Sequence, residues 1–319
     1  MSEILVITCP GGKQCSFLLP LLYEKGKFKL RLAAHSQSST SRLQSTYPNA
    51  EVQQCDLTSP DACHLLLHGA TAVFHVGPSL HSQEKEIGFN MVDAAVAESQ
   101  RPGNNFKHFV FSSVLGTQHR NLMQHDLKSR IEERLFLSPL DYTILQPTNF
   151  MAAYPIAMLA QQEKPVIERL WNPFIPNSVI ALRDLAEAAA KVLNEREKHF
   201  YAQYPLCSTL PVSDAEIAAK IGEYISKEIE VKTPSFETGL KNTLKVLYGG
   251  KHVPEDFRHA AEGDSRPDLC RDGAERLVLY YNRRGLRGNP SVLRWLLGRE
   301  PTTVEEYLKL ELQEAGLSS

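Results

Sequence analysis

Apolar residues in the first half of the chain come in short unbroken runs, separated by longer stretches in which they recur at helical spacing. Ile4–Thr8, Leu30–Ala34, Ala72–Val76, His108–Ser112 and Tyr142–Leu145 are such runs, and Glu51–Gln54, leading into Cys55-Asp56-Leu57, is a weaker one. Continuous apolar runs of roughly 4–8 residues predict strands buried on both faces. Phe17–Tyr23, Glu84–Ser99 and Leu127–Phe136 carry the helical spacing, whereas Ser36–Ser41 is polar and predicts a loop. Strands alternating with helices predict βαβ units, right-handed crossovers and strand ends aligned along one functional edge. The expected fold class is α/β, a doubly wound parallel sheet covered on both faces.

After Pro147 the rhythm changes. Pro155, Pro165, Pro173 and Pro176 predict irregular connections over 150–178, followed by an Ala-rich helix at Asp184–Asn194 and a strand at Phe200–Ser208. Ser213–Ser226 reads as a helix opened by a capping box, Ser213 with Glu216. Residues 234–319 hold Gly249-Gly250, a charged loop with proline, and helical text from Asp272 to Tyr281. The expected organisation is a sheet domain over 1–150 and a smaller, mostly helical lobe over 151–319, with elements near 179–208 returning to the sheet.

Composition narrows the function classes. Lys+Arg 35 against Asp+Glu 37 leaves a formal charge of −2, without the basic surface that nucleic acid requires. Hydrophobic residues at 42% and charged residues at 23% match an ordinary globular protein. No apolar run approaches the ~20 residues that span a bilayer. The start, Met1-Ser2-Glu3 before Ile4-Leu5-Val6-Ile7, has no basic n-region, so a cytoplasmic location is expected. The 6 cysteines (positions 9, 15, 55, 63, 207 and 270) are scattered and form no CxxC pair. They read as small buried hydrophobes, with no metal site expected.

The turn Ile7-Thr8-Cys9-Pro10-Gly11-Gly12-Lys13-Gln14-Cys15 falls between the first strand and the first helix. A helix N-terminus presents free N–H groups and a positive dipole end, so this is where a dinucleotide fold holds its diphosphate. The spacing Cys9-x-x-Gly12-x-x-Cys15 keeps only the central glycine of a three-glycine loop, and a plain tight turn would use the same residues. A non-glycine at Cys9 is tolerated if its φ is negative, the diphosphate then sitting farther from the backbone, so weaker cofactor binding is expected. Ala33-Ala34-His35-Ser36 ends the second strand without a carboxylate for the ribose of NAD. Ser36, Ser38, Ser39 and Arg42 offer donors to an extra phosphate, favouring NADP over NAD, with a solvated serine loop as the alternative.

This turn, Phe111-Ser112-Ser113, Lys128 in His125-Asp126-Leu127-Lys128-Ser129-Arg130-Ile131-Glu132, and Leu145-Gln146-Pro147-Thr148-Asn149-Phe150 together resemble the NmrA-like family of atypical short-chain dehydrogenases. Val179–Ala186 is similar to that family's second-half helix entry. Arg271–Glu300, with Tyr280-Tyr281-Asn282-Arg283-Arg284-Gly285, resembles the tail of fungal members. The resemblance covers most of the chain and implies an NADP-binding Rossmann fold with a small C-terminal substrate lobe. It implies cofactor contacts from Thr8, Gly11, Gly12, Lys13 and Gln14, and from His35 where the family has an arginine. Ser36, Ser38 and Arg42 would serve the extra phosphate, Asp56 and Leu57 the adenine, and Gly77-Pro78-Ser79 the ribose. Lys128, Pro147, Asn149 and Phe150 complete the set, the last two at the nicotinamide.

Ordinary short-chain dehydrogenases carry Tyr-x-x-x-Lys on one helix face, the lysine lowering the pKa of the proton-donating tyrosine. Here those positions are Gln124 and Lys128. Glutamine is no acid, which leaves Lys128 as the candidate general acid/base; the alternative is a solvated lysine paired with Glu132. Ser112, Ser113, His119, His125 and Tyr154 are substitute donors. Ser113, His125 and Asp126 name the parts of a hydrolase triad, but without a Gly-x-Ser-x-Gly elbow and with adjacent His-Asp pointing apart. Arg283, Arg284, Arg287, Arg294 and Arg299 read as an anion site or a solvated face. Trp171, Phe174, Trp295 and the segment 173–176 read as a substrate pocket or lobe core.

The expected function is an NADP-dependent reductase passing hydride to a carbonyl, imine or activated alkene of a small molecule, by family analogy in natural-product metabolism. An NADP-sensing regulator with a protein partner and no turnover, and a cofactor-independent isomerase or cyclase in the same cleft, stand as alternatives.

Overall fold

Residues 3–78, 81, 83–247 and 267–317 are described by the structure, a computed structural model. Ser79, Gly249-Gly250 and the loop that follows them, and the side chain of Cys270, lie outside the described residues. In chain order the elements are β1 (Glu3–Thr8), α1 (Lys13–Lys25), β2 (Phe28–Ala34), α2 (Gln37–Thr46), β3 (Glu51–Gln54), α3 (Pro60–Leu67), β4 (Ala72–Val76), α4 (Glu84–Gln100), β5 (His108–Ser112), α5 (Met123–Phe136) and β6 (Tyr142–Pro147). They continue with β7 (Asn149–Phe150), α6 (Ile156–Gln161), β8 (Val166–Glu168), β9 (Val179–Ile180), α7 (Leu182–Glu195), β10 (Ala202–Leu206), α8 (Asp214–Ile225), β11 (Glu230–Lys232), α9 (Phe236–Leu247), α10 (Pro267–Tyr281), α11 (Ser291–Leu297) and α12 (Val304–Glu314).

The apolar runs form the centre of a 7-stranded sheet in the order β3-β2-β1-β4-β5-β6-β10. β1 to β6 pair in parallel, with Leu5 opposite Ala72, Ile7 opposite Leu32 and Phe74 opposite Val110. Every residue of β4 and β5 is buried, as a strand with helices on both faces must be. The chain winds outward from β1 to β3 and then crosses back to place β4 beside β1. That reversal falls at the carboxyl ends of β1 and β4, the position where doubly wound sheets take their ligands.

Val6, Val73, Phe109, Phe111 and Ile144 on one sheet face pack against Leu66, Met91, Val92, Ile131 and Leu135 from α3, α4 and α5. Gly88 lets α4 and α5 approach: a β-carbon there would overlap Ile131 Cδ1 and Cγ1, and Ile131 is fully buried. Gly88→Ala is therefore expected to lower stability by about 1–3 kcal/mol despite alanine's better helix propensity. An unchanged denaturant midpoint would refute the close approach.

Two expectations need correction. Ser36–Ser41 is not a loop, because Ser36 accepts a hydrogen bond from Ser39 N (3.3 Å) and caps α2, which starts at Gln37. The segment 150–178 is not wholly irregular, since it holds β7, α6 and β8 between its prolines.

The described residues fall into two compact units, one drawn from Met1–Arg120, Gln124–Pro147 and Leu185–Tyr204, the other from Asn121–Met123, Thr148–Asp184 and Pro205–Ser319. In the second unit β7 pairs with β9 and β8 with β11, around a core that includes Met151, Leu159, Ile167, Ile221 and Leu308. The Ser213–Glu216 capping box forms as read, and a second, Thr303–Glu306, starts α12. Buried Asp184 accepts from Ser208 Oγ (2.7 Å), Thr302 N (2.8 Å) and Arg299 Nη2 (2.8 Å), so Arg299 is engaged within the fold.

Candidate functional site

The site is built at the carboxyl ends of β1, β4 and β5 in the first unit. β1 ends at Thr8, whose hydroxyl accepts from Val76 N (2.8 Å) and lies 3.1 Å from His75 Nδ1, tying the ends of β1 and β4 together. Cys9 follows with φ 50°, in the left-handed region, where a side chain costs roughly 1–2 kcal/mol. The negative φ under which a non-glycine would sit there without cost is not the one adopted. The cysteine makes the turn that a glycine would, and its carbonyl accepts from Gly12 N (2.9 Å). Cys9→Gly is expected to raise unfolding free energy by about 1 kcal/mol. Equal denaturant midpoints for the two proteins would deny the strain.

Gly12 is the N-cap of α1 and, having no side chain, supplies no cap to the first-turn N–H groups. A β-carbon on Gly12 would lie 3.1 Å from Cys9 O, and one on Gly11 would lie 2.7 Å from Arg42 Nη2. The two glycines and Lys13 are exposed, with the Arg42 guanidinium laid against Gly11. An uncapped helix start, a glycine pair without side-chain bulk and an arginine beside it fit a diphosphate. Cys15, at the third glycine position, is buried with Sγ 3.8 Å from Thr8 O, filling the space between α1 and β1. Gln14 Oε1 accepts from Ser112 Oγ (2.6 Å), joining the first turn of α1 to the end of β5.

On the β2 side His35 and Ser38 are exposed, while the Ser36 hydroxyl serves as a helix cap. Asp56 Oδ1 accepts from Thr58 N (2.9 Å) and Thr58 Oγ1 (2.8 Å), which holds its carboxyl below the usual range, helped by His35. Half-buried Leu57 packs on the sheet core. Gly77 is buried over the Glu84 carboxylate, a β-carbon there falling 3.4 Å from Oε1, and Pro78 is half-buried beside it.

Lys128 is neither solvated nor paired with Glu132. It is 5% exposed, and its Nζ forms an ion pair with Glu84, which is 0% exposed. Glu132 instead accepts from Ser113 Oγ (2.5 Å), Thr117 Oγ1 (3.0 Å) and Gln146 Nε2 (2.9 Å). Glu84 opens α4, where the helix dipole favours a carboxylate. Burial nevertheless pushes its pKa up, against the pull of Lys128. Among the described residues, Glu84 Oε2, Gln124 Oε1 and His75 Nε2 are buried without a hydrogen-bond partner. Burial, reinforced by Lys128, drives His75 down to about 3, and burial takes His125 to about 4 and raises the Cys9 thiol to about 11. Sequence reasoning missed Glu84 as a site residue, because an acid in a helix's first turn carries no mark of burial.

The substitute donors are spoken for in different ways. Ser112 and Ser113 donate as above, and His125 Nδ1 faces Gly116 O (2.9 Å). Asp126 turns away to Arg120 (2.8 Å) and Arg130 (3.1 Å), so no Ser-His-Asp relay forms. Pro147 is buried at the end of β6. Asn149, Phe150 and Tyr154 belong to the second unit, where Tyr281 donates to Asn149 Oδ1 (3.0 Å) and Tyr154 to Asp214 Oδ1 (2.5 Å). Asp214 also accepts from Arg169 Nε (2.8 Å) and Trp171 Nε1 (3.0 Å). Trp171 stacks on Tyr281, but Phe174 and Trp295 are 72% and 64% exposed and form no lobe core. Cys15, Cys55, Cys63 and Cys207 are buried as expected, and Cys9 is half-buried. Among the described residues no helix is long and apolar enough to cross a membrane.

The model of the NmrA-like family matches residues 1–263. The photosystem II assembly factor Ycf39 of Guillardia theta is 29% identical over 153 residues, which cover 46% of this chain and 47% of that one. The match thus spans about half the length of that curated relative. Among solved structures, the Citrobacter sp. triphenylmethane reductase complexed with NADP(H) superposes with a TM-score of 0.74 at 18% identity, covering 97% of this chain and 99% of the other. NmrA, a negative transcriptional regulator solved with NAD, gives 0.72 at 15% identity over 100% and 99% of the two chains. The NADPH-dependent quinone oxidoreductase of Escherichia coli gives 0.68 at 18% identity over 95% and 98%. At these identities the likeness is one of fold.

Proposed function

Because this chain belongs to the NmrA-like family, we propose that it is an NADP-dependent oxidoreductase acting on a carbonyl, imine or activated alkene of a small molecule. The observation that carries the reading is the uncapped, glycine-opened start of α1 with Arg42 against it, one strand away from the buried Lys128–Glu84 pair. Gly11, Gly12 and the first-turn N–H groups of α1 would hold the diphosphate. Arg42 with Ser38 and His35 would take the extra phosphate, which favours NADP because no carboxylate ends β2. Bound NADPH would supply the hydride. Lys128, the buried ammonium at this end of the sheet, would deliver the proton in place of the tyrosine that Gln124 replaces. We assign dinucleotide binding to residues 1–150 and substrate recognition to 151–319. The reductase and quinone-oxidoreductase neighbours make conjugated acceptors the first substrates to try. The resemblance of Arg271–Glu300 to the tail of fungal members supports natural-product metabolism as the setting of that substrate.

The test is calorimetric titration with NADPH, NADP⁺, NADH and NAD⁺, followed by NADPH oxidation with a quinone and a triphenylmethane dye. NADPH binding, lost in Arg42→Ala, with turnover lost in Lys128→Met, supports the reading. Failure of all four nucleotides to bind refutes it. A second reading, an NADP-binding regulator that recruits a protein partner, is favoured by Gln124 at the proton donor's place and by the strained non-glycine Cys9. Tight binding without turnover on any acceptor would select it.

A further inference from the structure

We propose that Cys55 and Cys63 are a redox pair, which hydrogen peroxide oxidises to a disulfide across the turn joining β3 to α3, and that this bond weakens nucleotide binding at Asp56 and Leu57. The dithiol stands on its own geometry, whereas its effect on a nucleotide rests on the dinucleotide reading. Cys55 leaves β3 with its backbone N–H on Ala34 O (2.8 Å), and Cys63 lies in α3 with its N–H on Ser59 O (3.1 Å). Cys55 Sγ donates to the carbonyl of Ala62, the residue before Cys63 (3.6 Å). Cys63 Sγ donates in return to Leu57 O, two residues beyond Cys55 (3.5 Å). The two thiols also meet each other in hydrogen-bond contact. Cysteines acting as small buried hydrophobes would need no such pairing.

The pair is unequal. Cys55 is 5% exposed and Cys63 0%, so Cys55 is the thiol that a peroxide meets. A hydrogen bond from Cys63 holds the Cys55 thiol below its usual range, against burial and Asp56, and the same contact pushes Cys63 up. Burial raises Cys9, Cys15 and Cys207, so among the described cysteines Cys55 is the one favoured as thiolate. That thiolate attacks one peroxide oxygen: the S–O bond forms, the O–O bond breaks, and the departing hydroxide takes up the proton that Cys55 released. Cys63 sulfur then attacks the sulfenic sulfur: the S–S bond forms, the S–O bond breaks, and the hydroxide leaves with the Cys63 proton as water. Two thiols are oxidised and the peroxide is reduced to two waters. An S–S bond of about 2.05 Å draws the sulfurs inside hydrogen-bond distance and removes both S–H donors. Leu57 O, which also accepts from Asn90 Nδ2 (3.1 Å), loses its Cys63 donor, and the turn carrying Asp56 shifts with it.

Wild-type protein is treated with hydrogen peroxide at pH 7.5, then denatured, alkylated with N-ethylmaleimide, digested and mapped by mass spectrometry. The expected product is a Cys55–Cys63 crosslink, lighter by two hydrogens and lost in dithiothreitol. In Cys63→Ala the reaction is expected to stop at the sulfenic acid, which dimedone traps on Cys55. Full alkylation of Cys55 and Cys63 beside an oxidised Cys9 or Cys207 would overturn the pair. Should Cys63→Ala fail to fold, the wild-type map decides alone. Calorimetry with NADPH then compares oxidised and reduced wild type. Affinity is expected to fall about fivefold on oxidation, the worth of one hydrogen bond, and to recover in dithiothreitol. Equal affinity in a protein that carries the crosslink would refute the coupling to the nucleotide. A crosslinked protein that binds no NADPH in either state sinks the dinucleotide reading and the coupling with it, while the redox pair stands.

Discussion

Glu84→Ala is expected to destabilise the first unit by about 3–5 kcal/mol, the penalty for leaving a buried charge without its partner. Lys128 has nowhere to turn. It is 5% exposed, its other facing groups are neutral, and the Phe111 ring lies beside it. A loss of that size is a large part of the roughly 5–15 kcal/mol that holds a domain together. Removing both charges is a different experiment. Glu84→Leu combined with Lys128→Met exchanges a buried ion pair for apolar side chains, a change that is often neutral or stabilising. The double variant is expected to recover most of the stability. Urea midpoints of the two single variants and the double variant at pH 7.5 decide it. A Glu84→Ala protein within 1 kcal/mol of wild type, a threshold well below the roughly 3–5 kcal/mol expected, would mean that the pair is not closed off from water. If the double variant is as unstable as either single one, packing and not charge dominates the site.

Acid is expected to unfold this protein through its buried histidines. His75, His108 and His125 are each 2% exposed or less, and their pKa values are driven mainly by burial to about 3, 3 and 4. In the unfolded chain each titrates near 6.5. A folded pKa below the unfolded one means stability that is complete above about pH 6.5 and is lost as pH falls toward the folded value. Between pH 6.5 and 4 the unfolded chain binds protons that the folded one refuses. Each histidine then removes about 1.4 kcal/mol per pH unit, so the three together remove about 4. Between pH 6.5 and 5 this removes about 6 kcal/mol, which exhausts a stability at the low end of the ordinary range of roughly 5–15 kcal/mol. Urea midpoints at pH 7, 6 and 5.5 should fall steeply. His108→Gln, which keeps a polar partner for Thr143 Oγ1 (2.8 Å in the native protein), should flatten the slope by about one proton. A wild-type midpoint that does not move between pH 6.5 and 5 would show that these rings reach water or accept a proton where they are.

Both predictions bear on function because the same burial shapes the site. His75 holds the end of β1 through Thr8, and His125 shares helix α5 with Lys128. Their neutrality leaves the lysine and its carboxylate as the charges that matter there.

The chain's own pattern determined the alternation of buried strands and amphipathic helices, hence the doubly wound parallel sheet and the reversal beside β1. Those features follow from neighbours close in sequence, from spacings of two and of about 3.6 residues, and from the handedness of crossovers. The Ser213–Glu216 cap was equally local. Tertiary structure alone decided the partner of Lys128, since Glu84 stands 44 residues upstream and meets it only once α4 and α5 pack on the same sheet. It also decided that Cys9 adopts a left-handed turn, because the register of β1 against β4 and the bond from Gly12 dictate the chain's path there. Arg42 lies against Gly11, far from it in sequence, for the same reason. Burial and long-range charge are properties of the packed molecule, and no window along the chain contains them.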